Sequence, residues 1–189
     1  DSEKYIKTLN KGDKFLDIGL RSLSNSLDNS NDLDVLKEVS EKLKQLDLIF
    51  DYIIHLRPTY PALDYYHIDE AFNFFKKNPK ATSLKSVEKL DLYFQKCLVG
   101  DKNDSERLVG LDGDTRNKAS STPSQECQNI YAQTAAIDIY KTSNIDSNEL
   151  WGNYCLKYEL GKVSGDIDTY YDYPKAYSAL DQLNALNKF

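Results

Sequence analysis

The chain has 189 residues, 40% of them apolar and 12% aromatic, which is enough to bury a core and too apolar for a disordered polypeptide. A net charge of −6 and a pI near 5.0 argue against nucleic acid as the main partner, because phosphate backbones select clustered Lys and Arg. No run of about twenty apolar residues occurs, so no transmembrane helix is expected.

Taken in chain order, Leu9, Leu16, Leu20, Leu23 and Leu27 recur three and four apart, with Asp13 filling one slot of the row. Leu36, Val39, Leu43, Leu46, Phe50 and Ile53 form a second row, and Asn29-Ser30-Asn31 separates the two. This rhythm predicts two antiparallel helices that bury Leu43 and Leu46 in a shared seam. A third helix is expected from about Pro61 to Lys77, carrying Ile68, Ala71, Phe72 and Phe75 and ending at Asn78-Pro79. A fourth starts at Thr82 or Ser83, either a good N-cap, with Leu84, Val87, Leu90, Phe94 and Leu98 as its stripe. Lys76, Lys77, Lys80, Lys85 and Lys89 make the densest basic tract and read as a solvated helix face.

Residues 99–125 are rich in Gly, Asp, Asn and Ser and read as a long flexible loop. Cys127, Ile130, Tyr131, Thr134 and Ile137 suggest a fifth helical face. Asp146 with Glu149 resembles a capping box for a sixth helix holding Trp151, Tyr154, Cys155 and Tyr158, closed by Gly161. Pro174 suits the first turn of a last helix with Tyr177, Leu180, Leu183 and Leu186. The expected fold is all-α: one domain, residues 1–189, built as a bundle of about six or seven amphipathic helices around a long central loop.

Few residues point to chemistry. His55 and His67 lack metal-site spacing, and no C-x-x-C, phosphate loop or G-x-S-x-G occurs, so no catalytic set, metal or cofactor is expected. Asp101, Asn103 and Ser105 occupy positions 1, 3 and 5 of a calcium-type loop. Glu106 then stands where glycine is needed and Asp112 where a bidentate Glu is needed, which favours a solvated loop. Asn103-Asp104-Ser105 is a glycosylation sequon. Fourteen tyrosines are the compositional oddity. Tyr60, Tyr65 and Tyr66 form one cluster, and Tyr170, Tyr171 and Tyr173 another, with Tyr154, Tyr158 and Tyr177 nearby in sequence. Such rings suit a protein-binding surface, and they equally suit a core edge with hydroxyls in water.

Three cysteines are present: Cys97, Cys127 and Cys155. In an antiparallel pair of helices, Cys97 and Cys127 would lie together at the mouth of the long loop. Cys155 would sit too far along its helix for the ~4.4–6.8 Å between Cα atoms that a bridge needs. A Cys97–Cys127 disulfide with Cys155 as a buried thiol is therefore expected. No methionine occurs, so Asp1 reads as a processed start, through removal of a secretory signal or recombinant trimming.

Phe50-Asp51-Tyr52, His67-Ile68-Asp69-Glu70-Ala71-Phe72, Ser86-Val87-Glu88-Lys89-Leu90, Ser124-Gln125-Glu126-Cys127 with Ile130-Tyr131, and Tyr158-Glu159-Leu160-Gly161-Lys162 follow a helical N-terminal stretch. In that order they resemble the secreted helical proteins of flies and mosquitoes that include the mosquito salivary thirty-four-kilodalton family, over about residues 30–165. The resemblance implies a secreted salivary protein that acts on host immunity or haemostasis by binding, with no catalytic residues to carry over. The expectation is thus a non-enzymatic extracellular protein that binds another protein through its tyrosines or its central loop. The alternative is a carrier holding a small apolar ligand in a cavity between helices.

Overall fold

A computed structural model describes residues 16, 18–27, 29–111, 122–160 and 165–186. Within them the chain is a mixed α/β protein, which corrects the expected all-α bundle. In chain order the elements are α1 (Asp32–Gln45), β1 (Tyr52–Leu56), α2 (Tyr65–Lys76), β2 (Ser83–Tyr93), β3 (Leu98–Gly100), β4 (Leu108–Gly110), β5 (Asn129–Lys141), α3 (Thr142–Asp146), β6 (Cys155–Glu159) and α4 (Tyr173–Leu186).

The helices expected fourth, fifth and sixth are therefore strands β2, β5 and β6. Five consecutive residues of β2, Ser83 to Val87, are buried, as are Ala136 to Tyr140 of β5. A strand covered on both faces loses its alternation, and its apolar run looks like a piece of buried helix. The strands order as β1-β5-β2-β6. Lys141 N–H donates to Thr82 O and Phe94 N–H to Gln128 O, so β5 runs antiparallel to β2. Thr82 N–H donates to Tyr154 O and Leu160 N–H to Val87 O, so β6 runs parallel to β2.

The chain divides into two units. One draws on the chain up to His55, on Phe72–Leu84 and on Asp138–Leu156. Its core joins Leu36 of α1 to Tyr140 and Ile145, with Leu33, Ile53 and Leu150 packed against them. Helix α1 starts where Asn31 Oδ1 accepts the Asp34 N–H at 2.9 Å. Asp32 and Asp34 in its first turn, and Lys42 and Lys44 in its last, complement its dipole. It stops because Asp47 turns left-handed (φ +56°), with Asp47 N–H on Lys44 O and Leu48 N–H on Leu43 O, the two bonds of a Schellman cap. The expected Leu36–Ile53 row is thereby cut: Leu46 is exposed, and Ile53 belongs to β1. Of the first expected helix, residues 6–15 and 17 lie outside the described residues; among those described up to Leu27, the turn Ser24–Ser26 is the one helical piece, and Leu23 is 89% exposed.

In the same unit Thr82 and Ser83 do not cap a helix. Thr82 Oγ1 donates to Trp151 O at 2.9 Å and accepts Tyr154 N–H at 3.0 Å, and Ser83 Oγ donates to Trp151 O at 2.6 Å. Asn144 Nδ2 adds bonds to Thr82 O and Leu150 O. These bonds hold the turn that launches β6. Gly152 sits at its centre with φ +59°, where a Cβ would lie 2.6 Å from Thr82 Oγ1.

The second unit takes Leu56–Ala71, Lys85–Ile137 and the chain from Lys157 onward. Ala135 carries φ +55° inside β5 and marks a bulge. The Ser86 hydroxyl fills the gap: it meets Thr134 Oγ1 at 2.8 Å and accepts Ile137 N–H at 2.9 Å. The Tyr60 hydroxyl donates to Thr134 O from the other side. Half of the expected long loop is the antiparallel hairpin β3–β4, which pairs Val99 with Val109. Residues 112–121 of that loop and the expected Gly161 cap lie outside the described residues.

Candidate functional site

Three places bear on function, and each lies within one unit. The first is a tyrosine surface at the start of α4. Thr169 and Asp172 form a capping box: Asp172 Oδ2 accepts Thr169 N–H at 2.7 Å and Thr169 Oγ1 at 2.9 Å. These donors hold the Asp172 carboxyl below its ordinary pKa. They also pin the turn Tyr170–Asp172 to the helix that Pro174 helps to start. Small side chains set the buried face of α4: Ala176 and Ala179 are buried against Gly165. The exposed side next to it, with the turn before it, is aromatic. Tyr170 is 82% exposed, Tyr171 90% and Tyr177 62%, and Tyr173 is exposed beside them. Their rings form a chain, with centroids 6.4 Å apart for Tyr170–Tyr171, 5.7 Å for Tyr170–Tyr173 and 6.2 Å for Tyr173–Tyr177.

The other expected tyrosine cluster is divided. Tyr60 is buried in the core, where burial and the neighbouring Asp166 push its hydroxyl pKa well up, so it offers no surface to a partner. Tyr65 is exposed and meets the half-buried Tyr66 edge-on. Tyr66 lies against the ring of His67 at 4.1 Å. His67 is buried, and burial lowers its pKa. Its Nδ1 accepts the Asp64 N–H at the start of α2, a structural role for a neutral imidazole.

The second place joins residues that sequence spacing kept apart. Asp32 of α1, His55 of β1 and Asp138 of β5 bring one ligand atom each to within 4.8 Å of one another. Asp138 is 1% exposed, and its Oδ2 accepts the Tyr140 hydroxyl at 3.0 Å. No local motif announces this set, because its members come from three elements; an aspartate inside the apolar run Ala136 to Tyr140 is the one sequence signal that marks it.

The third place is a hollow of about 80 Å³ lined by Leu43, Leu48, Ile49, Phe50 and Ile53, with Lys44 and Asp146 at its rim. Carrier sites run to a few hundred cubic ångströms, on the order of 300–1,000 Å³. A second hollow of about 300 Å³ is lined mainly by polar groups, among them Lys37, Glu41 and Asp146.

Of the calcium-type residues, Asp101 is otherwise engaged. Asp101 Oδ1 accepts Asn103 N–H at 2.8 Å, and Arg107 lies 3.5 Å from Asp101 Oδ2, so Asp101 ties the β3–β4 turn. Asn103 is exposed in that turn. The expected disulfide is corrected: Cys97, Cys127 and Cys155 are all free and half-buried. Cys97 Sγ donates to Tyr93 O at 3.2 Å and Cys127 Sγ to Pro123 O at 3.4 Å. That pairing requires two facing helix ends, and Cys97 and Cys127 instead follow short 3₁₀ turns at Phe94–Lys96 and Ser124–Glu126. Among the described residues no helix is long and apolar enough to cross a membrane.

No family model and no curated protein matches this chain.

Proposed function

We propose that this is a secreted, non-catalytic binding protein that recognises an extracellular protein partner through Tyr170, Tyr171, Tyr173 and Tyr177. The observation that carries the reading is the exposed, ring-to-ring chain of four tyrosines at the start of α4. Tyrosine brings a large contact area with a polar tip and loses little rotamer freedom on binding, which is why it concentrates at recognition surfaces. The capping box and the rings' mutual contacts restrict the side chains before a partner arrives, and that lowers the entropic cost of association. In a secretory route the exposed sequon at Asn103 in the β3–β4 turn would be open to glycosylation.

The test compares capture from blood plasma by wild type and by Tyr170→Ala/Tyr171→Ala/Tyr177→Ala, each immobilised at equal density and analysed by mass spectrometry. A species held by wild type and lost from the triple variant, with unchanged circular dichroism, is the expected result. Identical captured sets from both proteins would refute the assignment of the tyrosine face.

A further inference from the structure

We propose that Asp32, His55 and Asp138 form a binding site for a divalent first-row transition metal such as Zn²⁺. Donor chemistry argues first. One imidazole and two carboxylates make a nitrogen–oxygen set of the kind that suits zinc, iron(II) and manganese, whereas the hard cations Ca²⁺ and Mg²⁺ prefer oxygen alone. Bonds of about 2.0–2.2 Å to a shared ion place donor atoms roughly 3.3–4.3 Å apart, so three donors within 4.8 Å of one another need only a small inward shift.

Placement argues second. Asp32 is the first residue of α1, whose N-cap Asn31 is fixed by its bond to Asp34 N–H. His55 and Asp138 lie on β1 and β5, which are neighbours in the sheet. All three donors thus sit on regular elements, which hold a site more sharply than loops do.

Burial and charge argue third. Asp138 is a carboxylate at 1% exposure, aimed into a cluster that contains a second carboxylate. Two carboxylates match the charge of a divalent ion, and their attraction for it is stronger at a buried position than in water. The Tyr140 hydroxyl on Asp138 Oδ2 is the outer hydrogen bond that characteristically orients a ligating carboxylate. Three protein ligands leave a coordination position open for water or for a group on a partner.

The site is independent of the tyrosine surface, and its test uses the metal alone. Chelator-stripped protein is titrated with ZnCl₂ by calorimetry and with CoCl₂ by absorption spectroscopy. One equivalent should bind, with a cobalt spectrum lacking thiolate charge transfer. Asp32→Asn and His55→Gln should each weaken affinity at least tenfold, and Glu41→Gln should leave it unchanged. Asp32 is half-buried at a helix start, so its isosteric amide keeps the test open if the His55 variant fails to fold. Absence of saturable binding, a thiolate spectrum placing the ion on the cysteines, or unchanged affinity in folded Asp32→Asn would each overturn the proposal.

Discussion

Replacing Ser86 with alanine removes a single oxygen from a buried polar contact of the second unit. Ser86 is 0% exposed and Thr134 8%. Two groups lose a partner: Thr134 Oγ1 at 2.8 Å and the backbone N–H of Ile137 at 2.9 Å, two residues past the left-handed Ala135. An orphaned buried amide costs about 1–3 kcal/mol and a lost hydroxyl bond about 1 kcal/mol, so Ser86→Ala should lower the unfolding free energy by about 2–4 kcal/mol. Thr134→Val removes only the hydroxyl bond and leaves Ser86 to accept from Ile137, so it should cost about 0.5–1.5 kcal/mol. Urea denaturation of both variants measures the difference at constant m-value. Equal losses in the two variants, or a loss below about 0.5 kcal/mol for Ser86→Ala, would refute the claim that this hydroxyl sustains the bulge.

Gly152→Ala combines a left-handed backbone with a Cβ 2.6 Å from Thr82 Oγ1 and 2.8 Å from Asn144 Nδ2, so thermal denaturation should show a loss of about 2–4 kcal/mol. Glu38 accepts from Lys42, Ser22 and Asn25, which lower its pKa from 4.5 to about 2. Because the folded value lies below the unfolded one, its contribution is complete above about pH 4.5 and fades as pH falls toward 2. The melting-temperature gap between wild type and Glu38→Gln should therefore close over that range, and a constant gap would contradict the assignment. Thiol titration of unfolded, unreduced protein should count three free cysteines; a count of one would restore a bridge.

Local chemistry made several elements legible. The start of α1 at Asn31 and Asp32 follows from side chains that bond their own neighbouring amides. Helix α2 lies inside the interval that Pro61 and Pro79 bracket, and α4 begins beside Pro174. The end of α1 was missed because Asp47 adopts the left-handed turn usually given to glycine, and Leu46 and Phe50 kept the helical spacing alive beyond it. On α4 the stripe through Tyr177 misled, since the buried face belongs to Ala176 and Ala179 and the tyrosine points outward.

What the sequence determined by itself was therefore local: helix starts, proline boundaries, a tyrosine-rich C-terminal segment and the absence of a spanning apolar run. The sheet needed the tertiary structure. Ile130, Tyr131, Thr134, Ile137 and Ile139 favour strand by their branched and aromatic side chains, yet burial on both faces erased the alternation that would have said so. The meeting of Asp32, His55 and Asp138 is likewise a product of strand order. Adjacent strands and a helix start can converge from distant parts of a chain, and no short-range spacing records that convergence.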